Sequence, residues 1–297
     1  MKVGVVGYGS IGKRHADNLK KLGHQVVVYD PDYDISGVRF ERHIYETCPA
    51  VVIATPSPAH WGCIRAAAER GCHMLVEKPI ATGDIMGLQA SLDLATSKGA
   101  VVMMGNNLRF HSCVIKMQKW VPQIGALRWA SFMCATKTEK PLYRSDGVIL
   151  NTGSHEVDLA LHLLGPAKVL TGTARVIGKP GRDDIADFVL QHENGCRSTF
   201  HLDFVTEHEI RQFRIAGSEG DIFCELPARF ARARFIQKSA TLRDAFYGDG
   251  FYADDYVAEM KAFIHRIEGG ETIGASGADG LETLKILLDI RKMAGLS

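Results

Sequence analysis

Strand-like and helix-like patterns alternate over the first 105 residues. Lys2–Gly7 is a valine-rich apolar run, and Ile11–Leu22 then places Ile11, Ala16, Leu19 and Leu22 at helical spacing with lysines between them. Gln25–Tyr29 is a second β-branched run and ends in Asp30. Ala50–Ala54, His73–Val76 and Ala100–Met104 repeat the strand pattern. Pro58–Arg70 and Asp84–Ser97 repeat the helical one, and Gly71 supplies a helix stop. Nearly unbroken apolar strands separated by helices predict a parallel sheet covered on both faces. The pattern changes after about residue 120. Ala126–Thr136, Lys168–Ile177, Ile185–Gln191, Cys196–Val205, Gln212–Ala216 and Asp221–Cys224 read as strands with little helix between them, which predicts an antiparallel sheet. A helix over Gly153–Leu164 interrupts it, and helices over Tyr252–Glu268 and Ala278–Met293 close the chain. The expected organisation is an α/β nucleotide-binding domain at 1–118 and an α+β domain at 119–297, with the last helices packing back on the first domain.

Composition narrows the functional classes. A chain of 297 residues suits two domains at ~150 residues each. The 46% hydrophobic and 23% charged fractions are ordinary for a globular protein. Lys and Arg total 35 against 34 Asp and Glu, a formal +1, which argues against a nucleic-acid surface. No apolar run approaches the ~20 residues of a membrane span, and the start Met-Lys-Val-Gly-Val-Val-Gly is too short an apolar run for a signal peptide. The seven cysteines are odd in number and form no Cys-x-x-Cys pair, which reads as reduced thiols in a cytoplasmic protein.

Gly7-Tyr8-Gly9-Ser10-Ile11-Gly12 is a GxGxxG turn that follows a strand, opens a helix and lies in a unit ending at Asp30, 18 residues after Gly12. That context makes it a dinucleotide fingerprint. Gly7 permits the tight turn, Gly9 lets the backbone approach a pyrophosphate, and Gly12 lets helix and strand pack closely. The free N–H groups at the helix start favour the phosphate charge. A carboxylate at Asp30 accepts ribose hydroxyls and repels a 2′-phosphate. Pro31, Asp32 and Asp34 follow, with no arginine before Arg39, so NAD is expected over NADP.

Three further segments carry chemistry: Ala54-Thr55-Pro56-Ser57-Pro58-Ala59-His60 after the third strand, Glu77-Lys78-Pro79 after the fourth, and Asn151-Thr152-Gly153-Ser154-His155-Glu156-Val157-Asp158 at the start of the later helix. With the GxGxxG, with Asn107-Leu108-Arg109-Phe110, and with the late Tyr256…Phe263…Gly269 stretch, this order resembles the Gfo/Idh/MocA family of oxidoreductases over nearly the whole chain. The resemblance implies an α/β N-terminal Rossmann domain plus an α+β C-terminal domain with an open, mainly antiparallel sheet. It also implies a polyol or sugar-type substrate and assembly as a homodimer or homotetramer. The family's Glu-Lys-Pro lysine maps onto Lys78, its active-site histidine onto His155, and the aspartate three residues later onto Asp158. Many dehydrogenases of the family carry Asp four residues before that histidine, whereas this chain has Asn151. An amide cannot remove a proton at neutral pH, so the acid/base role falls to His155.

The expected reaction is hydride transfer between NAD and a carbinol or ketone carbon of a sugar, sugar acid or nucleotide-linked sugar. Lys78 stabilises alkoxide character, and His155, with an ordinary pKa of ~6.5, exchanges the hydroxyl proton. Asp158, one turn on, orients the imidazole or binds a substrate hydroxyl alongside Asn151. Glu77 binds the nicotinamide ribose or fixes its loop. Thr55 and Pro56 line the cofactor path, and His60 caps its helix or touches the cofactor. Lys137, Lys140 and Arg144 hold a substrate anion or form a solvated loop. Phe246, Tyr247, Phe251 and Tyr252 form a flap or a packing turn. No metal is expected, because HExxH needs His at 159 and that position is Leu159. Two alternatives share these residues: glycoside cleavage through transient oxidation and elimination, and a non-catalytic dinucleotide-binding sensor, which Asn151 alone supports.

Overall fold

The computed structural model describes residues 1–30, 43–137, 146–178, 182–226, 231–238, 241–248 and 253–296. Asp32, Asp34, Arg39, Lys140, Arg144, Phe251 and Tyr252 lie outside the described residues. Contacts divide the chain into two compact units, Met1–Phe110 with Ala253–Leu284, and His111–Tyr252 with Lys285–Ser297.

The first unit is a five-stranded sheet of β1 (Lys2–Val6), β2 (Gln25–Tyr29), β3 (Ala50–Ile53), β4 (His73–Glu77) and β5 (Val102–Gly105). The order is β2-β1-β3-β4-β5 and every pairing is parallel. The chain connects these strands through α1 (Ser10–Lys21), α2 (Ile44–Thr47), α3 (His60–Arg70) and α4 (Ile85–Ser97). Val3, Val5, Val28, Val52, Leu75 and Met103 from the strands are buried with Ala16 and Leu19 of α1. On the opposite face Val6, Val27, Val51, Ile53, Met74 and Val76 are buried as well, which is the two-sided burial that the apolar runs predict. Asp84 caps α4 by accepting from the Gly87 N–H, and Gly71 ends α3 in a left-handed turn with φ 69°.

The second unit opens with α5 (Ser112–Trp120), which packs on three later strands of its sheet. The contact division therefore falls at 110/111, ahead of the 118/119 position read from sequence. The sheet contains β6 (Leu127–Ala135), then, after the helices α6 (Gly147–Asn151) and α7 (Gly153–Leu164), β7 (Ala167–Arg175), β8 (Ile185–His192), β9 (Arg197–Asp203), β10 (Ile210–Gly217), β11 (Gly220–Glu225), β12 (Ala231–Gln237) and β13 (Thr241–Gly248). Among the described residues the order is β13-β12-β11-β10-β6-β9-β8-β7. All neighbours are antiparallel except the parallel pair β6 and β9. Phe213, Phe132, Phe200 and Phe188 stand in register across β10, β6, β9 and β8, with neighbouring ring centroids 5.4, 4.9 and 4.4 Å apart. Such cross-strand aromatic pairs hold the register of a sheet.

The last helices are α8 (Ala253–Ile267), which belongs to the first unit, and α9 (Gly277–Met293), which begins in the first and ends in the second. On α8, Met260, Phe263 and Ile264 complete the core of the parallel-sheet unit. Among the described residues no helix is long and apolar enough to cross a membrane.

Candidate active site

The glycine-rich turn leaves the C-terminal end of β1, at the point where the strand order reverses between β2 and β3. Open parallel sheets bind ligands at such a point. Gly7 takes φ 90°, and a Cβ there would lie 2.6 Å from the Ala54 carbonyl oxygen. Its N–H donates to the Tyr29 carbonyl at 2.8 Å. A Cβ on Gly12 would collide with the Gly7 carbonyl oxygen, so α1 meets β1 as closely as backbones permit. Gly9 differs from both, because a Cβ there meets nothing within 4 Å. Gly9 is the N-cap of α1 and offers no capping side chain, and no acidic residue occupies the first turn. The space beside Gly9 is open, and the N–H groups of Ser10, Ile11 and Gly12 that follow it begin a helix and lack intrahelical acceptors. This cradle fits a diphosphate.

Asp30 follows β2, and its Oδ2 accepts the Tyr8 N–H at 2.6 Å. The carboxylate thus ties the turn to the strand end.

Thr55 and Pro56 follow β3, with Thr55 partly buried and Pro56 exposed. His60 is 1% exposed and bridges two loops, with Nε2 2.8 Å from the Thr55 carbonyl and Nδ1 2.8 Å from the Pro79 carbonyl. Both ring nitrogens are committed to protein carbonyls. No ring nitrogen is left to bind a cofactor, so His60 staples the loops together.

Glu77 is the last residue of β4 and is buried, with Oε1 2.7 Å from Nε2 of the fully buried His15. Lys78 follows, partly buried, and its peptide bond to Pro79 is cis. His15 went unread in the sequence; the available signal was a histidine on the inward face of α1, one residue before Ala16.

In the second unit, Asn151 ends α6 and Thr152 links it to α7. The Asn151 carbonyl accepts from Ser154 Oγ at 2.8 Å, and the Thr152 carbonyl accepts from the His155 N–H at 3.0 Å. His155 is partly buried, Asn151 is 9% exposed and Asp158 is 1% exposed. His155 and Asp158 are three residues apart on α7 and share a helix face. Two buried carboxylates to which the sequence reading gave no role fix these helices. Asp183 accepts the Val148 N–H on its carbonyl at 2.9 Å and the Ile149 N–H on Oδ2 at 2.6 Å, and Arg291 Nη1 meets its Oδ1 at 3.2 Å. This satisfies the start of α6. Glu156, fully buried on α7, accepts from Arg211 of β10 at 2.9 and 3.0 Å. Burial pushes the Glu156 acid up, and the Arg211 guanidinium opposes that shift.

Lys137 pairs with Glu207 at 2.7 Å. Arg232 pairs with Glu225, and Arg234 lies over the Phe223 ring at 5.3 Å, so both arginines stand on the wetter face of β12. Phe246 and Tyr247 belong to the strand β13.

Residues 1–106 match the family model described as the oxidoreductase family with an NAD-binding Rossmann fold, and residues 124–223 match the GFO/IDH/MocA C-terminal domain. The chain belongs to the Gfo/Idh/MocA family. It is 25% identical over 320 residues to myo-inositol 2-dehydrogenase of Thermotoga maritima, covering 94% of this chain and 92% of that protein. In fold it is similar to UDP-N-acetylglucosamine 3-dehydrogenase of Acidithiobacillus ferrooxidans, with TM-score 0.85, 21% identity, and coverage of 100% of this chain and 98% of that one. A levoglucosan dehydrogenase in complex with NADH and levoglucosan has TM-score 0.86 and 21% identity, covering 99% of this chain and 97% of that one. Membership makes the chain an NAD(P)-dependent dehydrogenase with an NAD-binding N-terminal domain.

Proposed function

We propose that this dehydrogenase transfers hydride between NAD and a carbinol or ketone carbon of a sugar, sugar acid or nucleotide-linked sugar. One observation carries the reading. The glycine cradle, the Asp30 carboxylate and the Glu77-Lys78-Pro79 loop all stand at the C-terminal ends of strands of one parallel sheet, where such sheets bind ligands. The names of the similar proteins, acting on an inositol, a UDP-sugar and an anhydrosugar, supply the substrate class.

When bound, NAD supplies the hydride acceptor, and the protein supplies position and electrostatics. Ser10, Ile11 and Gly12 hold the diphosphate with their N–H groups, and Asp30 takes the adenosine ribose. Tyr8, Thr55 and Pro56 line the path. His60, by bridging the Thr55 and Pro79 carbonyls, keeps that path and the lysine loop in one arrangement. Lys78 stabilises developing negative charge on the substrate oxygen. His155 takes the hydroxyl proton on oxidation and returns it on reduction. Asn151 and Asp158 bind substrate hydroxyls, and Arg144 holds an anionic group of the substrate. The same reading makes the protein a cytoplasmic homodimer or homotetramer. Trp129, Leu170 and Leu242 stand exposed on strands of the second sheet, and among the described residues no cysteine forms a disulfide.

The test is NADH formation from NAD with a panel of inositols, free sugars, sugar acids and nucleotide sugars. Wild type is run beside Lys78→Ala and His155→Ala. Turnover by wild type is expected, with loss of roughly 10²–10⁴-fold in His155→Ala. Tight NAD binding without turnover in either direction overturns the proposal, and cleavage of a glycoside without net NADH replaces it with the elimination chemistry. Light scattering of the eluted protein tests the assembly.

A further inference from the structure

His15 of α1, Glu77 at the end of β4 and Glu259 of α8 are all buried, and one nitrogen or oxygen from each lies within 4.8 Å of the other two. His15 and Glu77 are engaged with each other at 2.7 Å. Glu259 is fully buried, and among the described residues neither of its carboxylate oxygens has a hydrogen-bond partner. An ionised carboxylate in that position, beside a second one, is strongly disfavoured. Something must neutralise it.

A divalent metal and a proton are the two candidates. Ligand bonds of about 2.0–2.2 Å in a tetrahedral metal site hold the ligand atoms more than 3 Å apart. The 2.7 Å between His15 Nε2 and Glu77 Oε1 is shorter than that and is the length of a charge-assisted hydrogen bond. We propose that Glu259 is a neutral carboxylic acid whose buried proton spares the contact between Glu77 and His15 the repulsion of a second carboxylate, which makes Glu259 a positioning residue for the Glu77-Lys78-Pro79 loop.

Glu259 is the member that holds the proton, because Glu77 has the imidazole and Glu259 has no donor. Burial, and then the charges of Glu77 and Asp255, push the Glu259 acid well above the ordinary carboxylate range. The charged groups on the other elements packed on α8 face other partners. On α1, Arg14 lies over the Tyr256 ring at 4.6 Å, and His15 meets the same ring edge-on at 5.9 Å. Arg109, in the turn Asn107–Phe110, faces Asp279 at 3.9 Å. Loss of the proton would set two carboxylates against each other beneath Lys78 and strain the loop that carries it.

The link to the loop rests on the function proposed above; the protonation does not. Infrared difference spectra of wild type against Glu259→Gln, with Glu259→Met as a second neutral variant, read the acid itself. A carboxylic-acid carbonyl band is expected at neutral pH, shifted in heavy water and missing from both variants. NAD titrations read the consequence. Wild-type affinity should fall about tenfold per pH unit once Glu259 ionises, while Glu259→Gln holds its affinity over the same range. Absence of the band overturns the proposal, as does a stoichiometric divalent metal that Glu259→Gln releases. A band with pH-independent NAD binding in wild type overturns the positioning role. Wild type that binds no NAD at any pH refutes the proposed function and leaves the band standing.

Discussion

Gly9 and Gly12 belong to one motif, yet alanine should act on them in opposite ways. At Gly9 the backbone sits at φ −68° and ψ −165°, extended geometry that alanine adopts, and the new methyl meets nothing within 4 Å. Folding stability should hold or rise by about 0.4–1 kcal/mol, because alanine restricts the unfolded chain. The methyl instead occupies the gap through which the backbone approaches the diphosphate. A loss of at least tenfold in NAD affinity, about 1.4 kcal/mol, is expected. At Gly12 the methyl would overlap the Gly7 carbonyl oxygen and lie 3.0 Å from its carbon. Both are backbone atoms and no side-chain rotation relieves the contact, so α1 must lift from β1. Overpacking of this kind costs about 1–3 kcal/mol, at roughly 2–4 °C of melting temperature per kcal/mol. Thermal unfolding without ligand, followed by calorimetric titration with NAD, separates the two effects. Equal destabilisation by both variants would refute the assignment of separate roles. So would a Gly9→Ala protein that binds NAD as tightly as wild type.

Three further outcomes follow from the buried polar contacts. His60→Leu removes the ring that lies 2.8 Å from both the Thr55 and the Pro79 carbonyl and leaves at least one of them without its donor, at a cost of about 1–3 kcal/mol; a lower melting temperature and weaker NAD binding should appear together, and an unchanged melt would show that the bridge holds nothing. Arg211→Met strands the fully buried Glu156, at about 3–5 kcal/mol. Adding Glu156→Gln should recover most of that loss in urea unfolding, and no recovery in the double variant would sink the charge argument. For Glu259 the folded acid binds its proton more tightly than the unfolded one. Its contribution is therefore complete below the ordinary carboxylate pKa and declines as pH rises toward the folded value. Urea midpoints of wild type should show this decline, and those of Glu259→Gln should be flatter across the same interval.

What the sequence determined by itself was local in origin. Five apolar runs divided by helical spacing implied the parallel sheet, because burial on both faces removes the alternation that a one-sided strand shows. Gly7, Gly9 and Gly12 carried their roles in their spacing, since a turn, an approach and a packing contact occur within six residues of chain. Gly153–Leu164 was readable as a helix, and the order of Glu77-Lys78-Pro79 and His155…Asp158 was enough to mark the family. Shorter or interrupted elements were not legible. The five residues of α6 make little more than one turn, too few to show a period, and α5 fell where one pattern gave way to another. The aromatics of β13 showed clustering without revealing that this strand extends the sheet.

Only the tertiary structure decided which polar groups meet. His15 and Glu77 are 62 residues apart, Ile149 and Asp183 are 34 apart, and Glu156 and Arg211 are 55 apart. Nothing in the periodicity of one segment identifies the partner of a charge in another. Those pairings exist because the parallel sheet brings the ends of its strands to one edge, and because a helix buried against a sheet must find a counter-charge for any ionised group it carries inward.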